Sequence, residues 1–138
     1  TSPGPVPPGE GNSRTYEVTA AANANLLSAA TMLVCTNDGF TGLDGLRLPH
    51  GKKAKTVEVN SYDAGTEVNT EAKDDLVAGC PVEGGHGLDL AAGPEEDGAV
   101  TPHPGVDVDT DGDDVLGALY NWGDDPVARI TIERQLRQ

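Results

Sequence analysis

Apolar and polar residues alternate with a period of two in three stretches. Tyr16, Val18 and Ala20 alternate with Glu17 and Thr19, Val57 and Val59 with Glu58 and Asn60, and Ala128, Ile130 and Ile132 with Arg129, Thr131 and Glu133. In an extended chain successive side chains point to opposite faces, so this period predicts strands. Residues 26–34 are apolar and rich in small residues; propensity allows a short helix, but the run leads straight into a turn, which favours a buried strand, and 43–48 predict another. Asn37-Asp38-Gly39 and Asp63-Ala64-Gly65 are turn signals. One or two helical turns are expected over 71–78, and a short helix over 113–120 with Asp113 and Asp114 at its positive end. Residues 81–104 are rich in Gly and Pro and predict irregular chain, broken by a short strand at Ala99-Val100. Short strands joined by Gly/Pro/Asp loops predict an all-β fold, an antiparallel β-sandwich with long irregular acidic loops. The first 12 residues hold four Pro and three Gly, so 1–13 are expected to be an extended arm and 14–138 the sandwich domain.

Composition narrows the picture. Leu, Val, Ile and Phe together make 28 of 138 residues, which leaves little apolar area to bury. Such a chain is expected to lean on cations, a disulfide or partner subunits. Acids number 23 and Lys plus Arg nine, for a formal charge of −14. A nucleic-acid binder needs a basic face, and docking on an anionic membrane needs a polybasic patch; neither is compatible with this balance. No apolar run approaches the ~20 residues of a membrane span, so no direct membrane insertion is expected. The scarcity of Lys beside so many acids resembles the acidic proteins of halophilic microbes, whose surfaces stay hydrated in concentrated salt. An acidic secreted protein is the plainer alternative.

Cys35 and Cys80 are too few for a four-thiolate zinc site. They are read as one bridge, with two reduced core thiols as the alternative. Two acidic turns follow predicted strands: Thr36-Asn37-Asp38-Gly39, leading to Asp44, and Tyr62-Asp63-Ala64-Gly65-Thr66-Glu67, with Glu71 beyond. Calcium takes six to eight oxygens, and carboxylates on adjacent loops suit that demand. Asp and Gly are also ordinary turn residues. A second candidate is Asp107-Val108-Asp109-Thr110-Asp111-Gly112. It has the D-x-D-x-D-G opening of an EF-hand loop, but Ala118 stands where that loop needs its bidentate acid. A calcium loop with ligands Asp107, Asp109 and Asp111 and a solvated acidic loop both remain open.

Three blocks, MLVCTNDGFTGLDGLRL (32–48), NSYDAGTEVNTE (60–71) and DDPVARITIER (124–134), together resemble the spondin amino-terminal domain family. That family includes the F-spondin and mindin modules and many secreted microbial proteins. The blocks cover about 40 of the 138 residues, in the family's order. The resemblance implies a β-sandwich like a C2 domain, a calcium ion held by acidic loops at one end, and adhesion rather than catalysis. Carried over position by position, it implies Asp38, Asp44, Asp63 and Glu67 as calcium ligands. The family normally has strands before the equivalent of Arg14. Their absence here implies a processed fragment, a fold with fewer strands, or a gap filled by another chain.

Catalysis finds no signature: there is no G-x-S-x-G elbow, no H-E-x-x-H and no phosphate loop. His50, His86 and His103 are scattered, and a lone His is more often a hydrogen-bonded structural residue than a ligand. Trp122 is read as a core anchor, with a sugar-stacking platform as the alternative. The expectation is therefore a non-enzymatic calcium-binding adhesion module, secreted or on the cell surface, with an extracellular protein or matrix partner. The alternative is a structural subunit of a filament or surface layer, self-assembled by strand complementation through the N-terminal arm.

Overall fold

A computed structural model describes residues 6, 11–70, 72–82, 85–88, 95–103, 105 and 120–135. Its strands are β1 (Leu26–Met32), β2 (Gly39–Arg47), β3 (Lys55–Val59), β4 (Ser61–Asp63), β5 (Pro81–Val82), β6 (Gly85–His86), β7 (Thr101–Pro102) and β8 (Ala128–Ile132). All pairings are antiparallel: a four-stranded sheet in the order β1-β2-β4-β7, the pair β3-β8, and the small hairpin β5-β6. The described residues are all-β, as the alternation predicts.

β3 and β4 are one extended run interrupted at Asn60, and the interruption moves the chain from one sheet to the other. β3 pairs with β8 so that Val57 faces Ile130 and Lys55 faces Ile132. β4 pairs instead with β2 and β7. The two alternating stretches thus find each other and set their register by matching apolar faces.

Four expectations are corrected. Residues 14–20 form no strand and are exposed, with Val18 76 % exposed, because alternation supplies a face but not a partner. β1 exists but is not buried: it is the edge of its sheet, and Leu26 and Met32 are about half exposed. Residues 72–78 make turns rather than helix; Thr70 Oγ1 donates to Asp75 Oδ2 at 2.5 Å and accepts from the Ala72 amide, a local alternative to helical bonding. The short strand sits at Thr101–Pro102, not Ala99-Val100. The helix expected over 113–120 falls, apart from Tyr120, outside the described residues.

Apolar burial is slight. Among the described residues the buried apolar side chains are Val59, Leu76 and Cys80. Leu76 and Cys80 form a cluster with Cys35, Val77, Val82 and Tyr120 around them. Cys35 and Cys80 are joined by a disulfide with their Cα atoms 5.3 Å apart. The Tyr120 hydroxyl lies 3.6 Å from Cys35 Sγ, and since the bridged sulfur has no proton, the phenol donates. The bridge is consistent with an oxidising, extracellular setting.

Candidate functional site

The inward face of the four-stranded sheet is polar. Thr41 and Ser61, paired across β2 and β4, are 2 % and 3 % exposed. Thr41 Oγ1 donates to the Asn60 carbonyl at 2.7 Å. Ser61 Oγ donates to the His103 carbonyl at 2.5 Å and accepts from Trp122 Nε1 at 2.6 Å. Trp122 Nε1 also reaches the His103 carbonyl at 3.0 Å, and the two rings lie 5.8 Å apart. Trp122 is therefore an anchor, held by its N–H as much as by its ring.

At the end of this face the β2 entry meets the turn after β4, since Gly39 pairs with Asp63. Asp63 closes the turn: its Oδ1 accepts the Gly65 amide and its Oδ2 the Asn69 side-chain amide, each at 2.6 Å. Gly65 has φ +70°, and a Cβ there would meet the backbone of Gly98 and Ala99 within 3 Å, so only glycine fits. The turn then offers its donors to Asp38. Asp38 Oδ2 accepts from the Thr66 amide at 2.6 Å, the Thr66 hydroxyl at 2.7 Å and the Glu67 amide at 3.0 Å. Burial pushes the Asp38 carboxyl up, but Thr66, the Glu67 amide and a contact with Asp63 outweigh it and hold it below its usual range.

Three buried polar atoms here have no partner: Asp38 Oδ1, Asn37 Nδ2 and His103 Nε2. His103 is 3 % exposed, and its Nδ1 accepts the Gly105 amide at 3.0 Å. Burial lowers its pKa despite the pull of Asp63 and Asp38, so the ring is neutral near pH 7 and Nε2 carries the proton. One buried acceptor and two buried donors are thus without a hydrogen-bond partner.

Of the residues singled out from sequence, Asp38 and Asp63 come together, and Glu67 joins them through its backbone amide. Asp44 does not: it lies five residues along β2 from Gly39, about 17 Å of strand. There Asp44 Oδ1 accepts from Ser28 Oγ at 2.6 Å, and Ser28 Oγ accepts the Gly45 amide at 3.0 Å. The β1–β2 register shifts at this point, and Gly45 has φ +59°. The Asp44-Gly45 pair is therefore a β-bulge held by Ser28, which accounts for the acid and the glycine in that stretch. Asp107, Asp109 and Asp111 lie outside the described residues. Among the described residues no group of three or more His, Cys, Asp or Glu side chains is gathered as a metal cage. The residues that sequence reasoning undervalued are Asn37, Thr66, Asn69 and His103. The T-N-D-G and D-A-G-T turn spellings mark the first two, but nothing local announces that His103 packs beside them.

No family model, curated protein or solved structure matches this chain.

Proposed function

We propose that the chain is a non-catalytic extracellular interaction module, a C2-like sandwich whose turns at Asp38 and Asp63 are fastened by calcium. The observation that carries this reading is the buried, unpartnered Asp38 Oδ1 beside a second carboxylate. Asp38 Oδ2 already holds the Thr66 turn, so its other oxygen is free for a cation. Asp38 and Asp63 would supply the charge, with water and nearby backbone oxygens completing a shell that calcium accepts flexibly. The chemistry supplied is neutralisation: the ion relieves repulsion between the two carboxylates and orders the loops around them. Secretion or surface display accords with the disulfide, and the resemblance to spondin domains points the same way.

The test is a calcium titration of thermal unfolding. An ion that binds only the folded chain stabilises it by about 2.7 kcal/mol at a hundredfold excess over Kd. Asp38→Asn and Asp63→Asn should each abolish the shift, while Asp44→Asn should leave it. A melting temperature indifferent to calcium in both low and high salt overturns the reading.

A further inference from the structure

The sheet's outward face carries a row that the calcium reading does not use. Met32 pairs with Phe40, Phe40 with Tyr62, and Tyr62 with Pro102, so these four side chains share one face and cross all four strands. Phe40 and Tyr62 are in ring contact, 5.6 Å between centroids. Met32 is 48 % and Tyr62 38 % exposed, Phe40 is half-buried and Pro102 is exposed. The polar partners Thr41 and Ser61 face the other way and are buried. A sheet with its hydroxyls inside and its aromatics outside has an unfilled surface.

We infer that this row docks the proline-rich N-terminal segment of a second copy of the chain. Extended, polyproline-type segments bind aromatic-lined surfaces because their conformation is fixed before binding. Residues 3–8 read Pro-Gly-Pro-Val-Pro-Pro, and Pro5 and Pro8 satisfy P-x-x-P spacing. Lengths agree: four strands span about 14 Å at ~4.8 Å spacing, and five polyproline residues span about 15 Å at ~3.1 Å each. The first nine residues carry no ionisable side chain, so the segment brings no like charge to an acidic protein. Val6, the described residue of that stretch, is 48 % exposed. The row and the Asp63 carboxylate lie on opposite faces, since Tyr62 and Asp63 are consecutive in β4. The inference therefore stands or falls apart from calcium.

Copies carrying −14 repel at low salt, and screening shortens that repulsion from ~10 Å at 0.1 M to ~3 Å at 1 M. Self-association must then strengthen with salt, whereas a basic partner would bind more weakly. Sedimentation equilibrium of the full chain at 0.1 and 2 M NaCl tests this. The expected result is reversible association that grows with salt. It should weaken at least tenfold in Pro5→Ala/Pro8→Ala and in Tyr62→Ala. A synthetic peptide of residues 1–10 should compete, and should shift the amide resonances of Met32, Phe40 and Tyr62. The inference is overturned by a monomer at millimolar concentration in 2 M salt or by association indifferent to the proline changes. A peptide footprint elsewhere, or docking on the chain's own sheet independent of concentration, overturns it equally.

Discussion

Two regions hold this chain together by different means. Around Leu76 and Cys80 a small apolar cluster is closed covalently by the Cys35–Cys80 bridge. On the inward face of the four-stranded sheet the buried side chains among the described residues are mostly polar; Thr36, Asn37, Thr41, Ser61 and His103 are buried and fastened largely by directional bonds. The first region is insensitive to geometry but limited in area. The second is sensitive to geometry, because each buried donor or acceptor left unmade costs about 1–3 kcal/mol. A chain poor in large apolar residues cannot rely on area, so specificity falls to hydroxyls, one imidazole and one indole.

The comparison breaks hardest at the bridge. Closing a loop with a sequence separation of 45 contributes about 4 kcal/mol in the chain-entropy model. Cys35→Ser/Cys80→Ser should lose about that much, read by urea unfolding; a loss under about 1 kcal/mol would shift the balance to the polar face. The next effect is smaller. Ser61→Ala removes the oxygen that accepts Trp122 Nε1, but the indole keeps the His103 carbonyl. The expected cost is about 1–2 kcal/mol with altered Trp122 fluorescence. No measurable cost would mean that the Ser61 bonds are bystanders.

Much of the framework was legible in the sequence. The alternating stretches at 57–60 and 128–133 became β3 and β8, paired Val57 to Ile130, because a period of two fixes faces and matching faces fix register. The turn at Asp63 was legible because Asp and Gly there do local chemistry. What failed depended on partners. Tyr16 and Val18 have the pattern of a strand but lie in no strand, and between them Glu17 Oε1 accepts from the Gln135 side-chain amide at 3.3 Å. The apolar run 26–34 suggested burial, yet β1 ended at an edge. At the site, Asp38 and Asp63 could be named but not their keeper. His103 lies 42 residues from Ser61, and such a contact leaves no trace in spacing. Asp44 shows the converse: an acid beside glycine serves a bulge as readily as an ion.

A pH series sharpens the contrast without any truncation. Burial lowers the His103 pKa in the folded chain, so the unfolded chain binds a proton first as pH falls below about 6.5. Stability is fully present above that value and declines from there toward the depressed folded pKa. Asp38, also depressed, acts in a lower window: its contribution is present above 3.8 and is lost as pH falls through its folded value. Thermal melts from pH 8 to 5 should show a falling melting temperature that His103→Asn flattens. An unchanged slope in the variant would show that another group titrates there.

The smallest effect tests whether charge, so abundant here, holds anything. Arg129 Nη2 and Glu58 Oε1 meet at 2.8 Å across β3 and β8, with side chains 67 % and 56 % exposed. Exposed pairs of this kind contribute about 0–1 kcal/mol and are screened by salt. A double-mutant cycle with Arg129→Ala and Glu58→Ala should give a coupling under about 1 kcal/mol at low ionic strength and none at 1 M NaCl. The neighbouring Thr56–Thr131 hydroxyl contact at 3.0 Å should persist in both salts, since it involves no net charge. A larger, salt-resistant coupling would mean that surface ion pairs, rather than buried hydroxyls, carry the stability that the thin apolar core does not supply.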